Sequence, residues 1–295
     1  MRKKEFTDLP IRSFEDNAFT PKQVSKFEID RMTGENNGNQ IIVEPHRHDY
    51  YHIMFIKKGI GKHSIDFKTY DIKPNMMFFV SPGQVHSIET SIDTEGYVIS
   101  FDSGFYHLGD SFQKLLDFPF FHSISNSPII NIDKENTKIQ AAWDELYEEY
   151  NASTNDKNNI LRALFEILLI RSSRIYDSPT ESEKPAYLTY QLRKLETLID
   201  RHFKELRLLN DYADLMHISP RHLNNLCKKG LNKTVMNLIH ERTLTEAKRL
   251  LLFTNNSISE IAYELGFTDT SYFMRFFKKH TSLTADTYRN QNNIV

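Results

Sequence analysis

Four histidines in two short segments are the residues of the first half of the chain best suited to binding a ligand or a metal ion. His46, His48 and His52 alternate with Tyr50, and His86 stands in a second segment. In a β-strand, residues of one parity share a face, so we expect the alternating side chains to point inward together, with His86 entering from the second segment. Neutral imidazole both donates and accepts hydrogen bonds, which suits a polyol or carboxylate ligand. The same rings could instead hold Zn, Cu, Fe or Ni.

A second set of polar side chains, rich in hydrogen-bond donors, lies in the last third of the chain. Arginine suits guanine edges, asparagine suits adenine edges and lysine suits phosphates. The set forms two groups that each end in Lys-Lys: Arg221, His222, Asn224, Asn225, Lys228 and Lys229 in the first, and Thr270, Ser271, Met274, Arg275, Lys278 and Lys279 in the second. These residue types predict contacts with double-stranded DNA.

An internal repeat positions these two groups. Its apolar members recur after 49 residues and, beyond a turn, after 50; they are Ala213, Met216, Ile218, Leu223, Leu226 and Cys227 in the first unit and Ala262, Leu265, Phe267, Phe273, Phe276 and Phe277 in the second. Each unit is interpreted as helix, turn and helix. Ser219 and Pro220 begin the second helix of the first unit, while Ser257 and Gly266 bound the first helix of the second unit, with Gly266 in a position suited to positive φ. The apolar side chains bury one face of each second helix and leave the donor-rich face for the major groove of DNA. A plain helical bundle with polar outer faces is the weaker interpretation.

The segment between the two units predicts a single connecting helix over 234–253. At about 20 residues it is ~30 Å long, close to the roughly 34 Å of one turn of B-DNA. The two recognition helices could therefore enter successive major grooves on one face of the duplex.

The first half of the chain predicts a β-rich domain followed by helices. Apolar runs at 41–43, 51–56, 77–80 and 97–101, separated by turn signals, favour a barrel or sandwich. Helices are expected near 133–150 and 157–176. The part 158–176 is apolar nearly all round and must be covered on several sides, by the barrel or by a second copy of the chain.

Composition and charge limit the classes of protein to consider. A length of 295 residues favours about two domains, and the polar, proline-bounded segment 177–185 predicts the linker. Residues 187–295 hold 16 basic and 11 acidic residues, whereas the remainder holds 21 and 28, so a basic end follows an acidic body. The single Cys227 excludes a disulfide framework and favours the cytoplasm. We expect neither a signal peptide nor a membrane-spanning helix.

The second unit resembles the signature of the AraC/XylS family of transcription regulators. The resemblance rests on 257–267, 269–273 and 275–279, spans about 100 residues and is weaker in the first unit. Asn232 and Ser282 stand where the family usually has glycine, and Ala285 stands in place of its usual proline. The resemblance implies base contacts by Arg221, Asn224 and Asn225 in the first unit and by Thr270, Ser271, Met274 and Arg275 in the second.

The histidine segments 46–52 and 82–86 resemble the two cupin motifs, which implies a small double-sheet barrel. Metal cupins usually present two histidines, a glutamate and a third histidine, and here His52 takes the place of the glutamate. Together with the DNA module, the barrel matches the plan of an AraC-family ligand sensor. The resemblance implies an effector pocket formed by His46, His48, Tyr50, His52 and His86. We expect the pocket to work without a metal or another cofactor.

We therefore predict a two-domain chain with an all-β cupin-like barrel and following helices over 1–176, a linker over 177–185 and an all-α double helix-turn-helix domain over 186–295. The expected function is that of a cytoplasmic, non-enzymatic, ligand-responsive transcription regulator. Its expected partners are double-stranded DNA, a small-molecule effector, a second copy bound through 158–176 and RNA polymerase. A cupin metalloenzyme fused to a DNA-binding module and an effector-independent DNA-binding protein are the alternatives.

Overall fold

The described residues of the chain form two compact units, one within 10–179 and the other within 180–295. The computed structural model describes residues 11–12, 27–33, 41–106, 115, 118–121, 127–133, 135–176 and 186–292. The predicted linker 177–185 lies outside them. The first unit is β-rich and the second is helical, which confirms the predicted fold class.

Two five-stranded sheets build the first unit. The strands are β1 (Ile11–Arg12), β2 (Phe27–Met32), β3 (Ile42–His48), β4 (Tyr51–Lys58), β5 (Gly61–Ile65), β6 (Lys68–Ile72), β7 (Met76–Val80), β8 (Val85–Thr90), β9 (Glu95–Phe101) and β10 (Ile129–Asn131). One sheet has the order β1-β3-β8-β5-β6 and the other β10-β7-β4-β9-β2. Four of these strands overlap the predicted apolar runs.

Alternation along β4 explains how the second sheet is covered on both faces. Met54 and Ile56 belong to a core shared with Ile65 and Ile88 of the first sheet. Residues of the opposite parity on β4 and β7 join a second core with the helices that follow the strands. Strand β7, Met-Met-Phe-Phe-Val, is buried throughout, as expected for a strand covered on both faces.

Short helical segments at α1 (Ser103–Tyr106) and at the 3₁₀ turn Pro119–Phe121 lie between β9 and the two longer helices. The longer helices are α2 (Thr137–Asn151) and α3 (Lys157–Ile175), close to the predicted bounds. One side of α3 packs into the core of its own unit through Leu161, Phe165, Leu168 and Leu169. The opposite side exposes Ile160, Ile167 and Ile170 by 42%, 41% and 38%. The barrel and α2 therefore cover only part of this helix.

Seven helices follow in the described part of the second unit. They are α4 (Ala186–His202), α5 (Leu209–Met216), α6 (Pro220–Leu231), α7 (Val235–Phe253), α8 (Ile258–Glu264), α9 (Thr270–Thr281) and α10 (Ala285–Asn292). The apolar residues of the repeat form one core with α4 and α7. Among the described residues, no helix combines the length and apolar character that crossing a membrane requires.

The helix ends of the second unit follow from its local sequence. Ser219 accepts a hydrogen bond from the His222 amide, with Pro220 in the first turn, as predicted. Ser257 and Glu260 cap α8 reciprocally. Gly266 follows α8 with a φ of +77°, which confirms the predicted positive φ.

Candidate functional site

Five histidines and a tyrosine gather between the two sheets of the first unit. His46 and His48 lie on β3, directly beside His86 on β8, and the register pairs His46 with His86. Their side chains are 2%, 4% and 3% exposed. Tyr50, also buried, lies at the bend between β3 and β4 and places its ring centroid 4.3 Å from that of His48.

His52 reaches the same cluster from the opposite sheet. It lies on β4, and its Nδ1 is 3.1 Å from the Ser100 hydroxyl on the neighbouring strand. Its ring centroid lies 5.2 Å from that of His48 and 5.6 Å from that of His86. The expectation of one strand through all four alternating residues was wrong, because the chain passes from one sheet to the other at Tyr50. The expected common inward direction survives, since both strands turn these side chains toward the space between the sheets.

The ring nitrogens of three histidines converge. His48 Nε2 lies 3.1 Å from His46 Nε2 and 2.8 Å from His86 Nε2. His46, His48 and His86 each offer one ligand atom, and these atoms all lie within 4.8 Å of one another. Within the described part of the chain, this is the group able to hold a metal ion.

His63 is a member of the cluster that the sequence did not reveal. It lies on β5, is 0% exposed, and its Nε2 is 3.0 Å from His86 Nδ1. No motif surrounds it, and only its shared parity with buried Ile65 on a short strand could have indicated it.

Burial keeps the inner rings of this cluster uncharged. Burial and the neighbouring imidazoles of His52 and His46 lower the pKa of His63 to about 3. Burial, followed by the surrounding imidazoles, also lowers the pKa of His86 well below its ordinary value. Both rings are therefore neutral at neutral pH and keep one nitrogen lone pair each for a hydrogen bond or a cation.

The first helix-turn-helix unit of the second domain presents its predicted polar residues on α6. Arg221, His222, Asn225, Lys228 and Lys229 are exposed, while Leu223, Leu226 and Cys227 on the other face are buried. Asn224 differs, because it is half-buried and its Oδ1 accepts a hydrogen bond of 3.2 Å from the amide of Val235 at the start of α7. This side chain therefore helps to join the recognition helix to the connecting helix.

The second unit presents the corresponding residues on α9. Ser271, Met274, Arg275, Lys278 and Lys279 are exposed, opposite the buried Phe273, Phe276 and Phe277. Thr270 is half-buried, and its hydroxyl lies 3.2 Å from that of Ser259 on α8. The Asp269 carboxylate caps the helix by accepting hydrogen bonds from the amides of Ser271 and Tyr272, at 2.9 and 3.1 Å.

Two exposed tyrosines lie on the two helices of the second unit and were not predicted. Tyr272 on α9 and Tyr263 on α8 are 55% and 61% exposed. Aromatic side chains are mostly buried in a small domain, so exposed ones are informative. The helical periodicity around the buried Phe273 could have predicted that Tyr272 is exposed.

The connecting helix α7 holds 19 residues, which corresponds to about 28 Å. Thr234 and Asn237 cap its start. Its inner face contains a buried ionic group in which Glu246 accepts hydrogen bonds from Arg242 and Arg249, at 2.9 and 3.0 Å. The charges of these two arginines lower the pKa of Glu246, against the opposing effect of its burial. The connector thus begins at a fixed cap and carries a paired ionic group on its inner face.

Comparison with known proteins assigns both halves of the chain. The family described as AraC-like ligand binding domain matches residues 29–183, and the family described as helix-turn-helix domain matches residues 212–291. The HTH-type transcriptional activator RhaS of Mannheimia succiniciproducens is 27% identical over 84% of this chain and 93% of its own. The HTH-type transcriptional regulator YfiF of Bacillus subtilis is 23% identical over 83% of this chain and 78% of its own. A shorter match, 35% identical over 31% of this chain and 43% of the relative, is to the bifunctional transcriptional activator/DNA repair enzyme AdaA of Bacillus subtilis.

Proposed function

The chain belongs to the AraC family and is a ligand-responsive, DNA-binding transcription regulator, and we propose from this premise which residues carry each task. We assign the sensor to 1–176, the linker to 177–185 and the DNA-binding domain to 186–295. The regulator acts without catalysing a reaction, as the names of RhaS and YfiF support. The cytoplasmic location expected from the single cysteine stays a prediction.

The observation that carries the DNA-binding assignment is the shared design of α6 and α9. Each helix buries its apolar face in the domain core and exposes a face of arginine, lysine and small polar residues. We assign base contacts to Arg221 and Asn225 on α6 and to Thr270, Ser271, Met274 and Arg275 on α9, whereas Asn224, also predicted to contact bases, joins α6 to α7 through its hydrogen bond with Val235. We assign phosphate contacts to His222, Lys228, Lys229, Lys278 and Lys279.

The full chain, bound to a duplex that it selects from a random library, tests this assignment. Arg275→Ala should cost roughly 1–3 kcal/mol of binding free energy at the selected site and relax the sequence preference there. Lys278→Ala, as the matched variant one helical turn away, should weaken binding to all sequences alike and reduce the salt dependence of binding. A change of sequence preference in Lys278→Ala but not in Arg275→Ala would show that the two faces are misassigned.

We propose that the effector binds at the histidine cluster, where His46, His48, Tyr50, His52 and His86 lie together between the sheets. A bound effector stabilises the native state by mass action, so it should raise the melting temperature of the full chain. RNA polymerase is the further partner that we propose for an activator of this family.

We also propose a homodimer through the exposed side of α3. Ile160, Ile167 and Ile170 follow helical spacing, and such an apolar stripe is costly to leave in water. The buried Leu168 belongs to the sensor core, so its replacement would test folding instead of association.

Sedimentation of the full chain at micromolar concentration tests the dimer. Ile167→Glu should convert the dimer to a monomer, since a two-fold interface meets each substitution twice. Ala141→Glu places the same charge on an exposed position of α2 and should leave the dimer intact. A wild-type monomer, with and without the selected duplex, would contradict this proposal.

A further inference from the structure

We infer that the sensor binds one divalent transition-metal ion through the Nε2 atoms of His46, His48 and His86, and that this ion is the ligand to which the regulator responds. The proposed metal site is inferred from the geometry of the cluster alone. Its role as the signal rests on the proposed function.

The hydrogen-bonding capacity of the three rings favours a cation between them. His46 Nδ1 lies 2.8 Å from the Glu44 carbonyl oxygen, which can only accept, so the proton of a neutral His46 is on Nδ1 and its Nε2 holds a lone pair. His48 Nε2 faces this lone pair and also faces His86 Nε2. A ring nitrogen carries either one proton or one lone pair, so neutral rings can place a linear hydrogen bond on only one of these two contacts. A cation at the centre accepts all three lone pairs at once.

The distances between the ring nitrogens suit an ion better than an organic molecule. A tetrahedral ion with metal–nitrogen bonds of about 2.0–2.1 Å separates its ligand atoms by about 3.3 Å. Two of the three separations, 2.8 and 3.1 Å, are close to this value, and all three atoms lie within 4.8 Å of one another. An organic effector inserted between these nitrogens would have to force the rings apart by several ångströms. An ion requires much smaller shifts of side chains already aimed at one point.

The outer ring nitrogens of His46 and His86 have partners that orient these rings toward an ion. Metal-binding histidines commonly use their other nitrogen to donate to a carbonyl or another acceptor, which fixes the ring and its tautomer. His46 does so toward Glu44. His86 Nδ1 lies 3.0 Å from His63 Nε2, a distance at which His63 can accept its proton and leave His86 Nε2 for the ion. His63 is fully buried, and among the described residues no hydrogen bond joins it to the opposite sheet. Holding the ring of His86 in place gives it a role.

The donor set indicates the class of ion. Imidazole nitrogens suit Zn²⁺, Cu²⁺, Ni²⁺ and Co²⁺, whereas Mg²⁺ and Ca²⁺ prefer oxygen. Three neutral ligands leave the charge of the ion uncompensated and a coordination position open for water or an anion. His52 is engaged with Ser100 from the opposite sheet, so we assign the ion three imidazoles and not the four that the sequence suggested. This inference replaces the sequence-based expectation of a metal-free pocket.

Metal binding to the tag-free full chain is the primary test. After dialysis against Co²⁺ or Zn²⁺, elemental analysis should find one ion per chain. His48→Ala should weaken binding by more than about 100-fold, and His63→Ala by the roughly 10–100-fold typical of an outer partner. The double variant His240→Ala/His280→Ala removes a histidine pair of the other unit, with ring centroids 4.8 Å apart, and should bind as the wild type does. Binding that survives in His48→Ala but is lost in the double variant would overturn the assignment.

X-ray absorption of the wild-type protein keeps the test independent of variants that fail to fold. The spectrum should show imidazole nitrogens at about 2.0–2.1 Å and no sulfur ligand. Oxygen-only coordination, or no stoichiometric ion, would overturn the proposed site.

DNA binding with and without the ion separates the two halves of the inference. We expect the affinity of the full chain for its selected duplex to change at least fivefold on adding Zn²⁺, and the change to vanish in His86→Gln. Metal binding with unchanged DNA affinity would overturn the role as signal and leave the site standing. If the chain binds DNA sequence-specifically but takes up no metal, the inference is overturned and the proposed function is not. If the chain shows no sequence-specific DNA binding, the proposed function itself is overturned.

Discussion

The two helix-turn-helix units share one repeat but differ in how well their local sequence specifies their structure. In the second unit, the turn after the first helix uses Gly266 at a φ of +77°, whereas the first unit uses His217 at +55°. Asp269 caps its recognition helix with two accepted hydrogen bonds, whereas Ser219 accepts one. The reciprocal cap of Ser257 and Glu260 has only a one-sided counterpart, in which Asp211 accepts from the Leu208 amide.

The first unit depends more on packing against its neighbours. Gly230 on α6 lies so close to α4 that a Cβ there would be 2.3 Å from Leu192 Cδ1. Asn224 joins the same helix to α7. A unit whose caps and turn glycine stand at the expected positions can therefore be recognised from its sequence. A unit stabilised by contacts with neighbouring helices is harder to recognise, because those contacts do not appear in its local sequence.

The largest difference between the units should appear at their glycines. Gly266→Ala should lower the free energy of unfolding by about 2–4 kcal/mol, because alanine resists positive φ and its Cβ would meet the Lys204 carbonyl oxygen, at 2.0 Å. Gly230→Ala is the matched substitution in the first unit. It should cost less, because the conflicting atom ends a flexible leucine and alanine favours the helix. Urea denaturation of both variants measures the difference, and equal losses would contradict the local design of the second unit.

Substitution of Asn224 and of its exposed neighbour Asn225 should distinguish a structural role from a DNA-binding role in the first unit. Asn224→Ala should lower stability by about 1 kcal/mol, since the Val235 amide loses its side-chain acceptor. Asn225→Ala should leave the melting temperature unchanged and weaken binding only to the selected duplex. If the stability of both variants equals that of the wild type, the bond to Val235 contributes nothing.

The smallest effect should come from placing glycine at the left-handed position in the turn of the first unit. His217→Gly should raise the free energy of unfolding by roughly 0.5–1 kcal/mol, because glycine adopts the left-handed conformation without the penalty that histidine incurs. Ser282→Gly should act in the same direction after α9, where the φ is +64°. Thermal unfolding of each variant checks this, and a destabilised His217→Gly would mean that the histidine side chain makes a compensating contact.

Local signals explain what the sequence could predict. The caps at Ser219 and Ser257 and the positive φ at Gly266 depend on residues within one turn of each other, and the apolar repeat shows as a constant spacing of residue types, so all of these could be predicted directly from the sequence. The role of Asn224 and the place of His63 depend on elements that meet only in the folded chain. The two sides of α3 could not be separated either, because the sequence places large apolar residues on both and only the packing within the folded unit decides which side is covered.

A footprint of the full chain on its selected duplex tests most directly the claim that both units read DNA. Hydroxyl-radical cleavage should reveal two protected patches on one face of the duplex, about one helical turn apart. Arg221→Ala should weaken one patch and Arg275→Ala the other, since each arginine belongs to a different recognition helix. A single protected patch, or the same footprint change in both variants, would contradict the account.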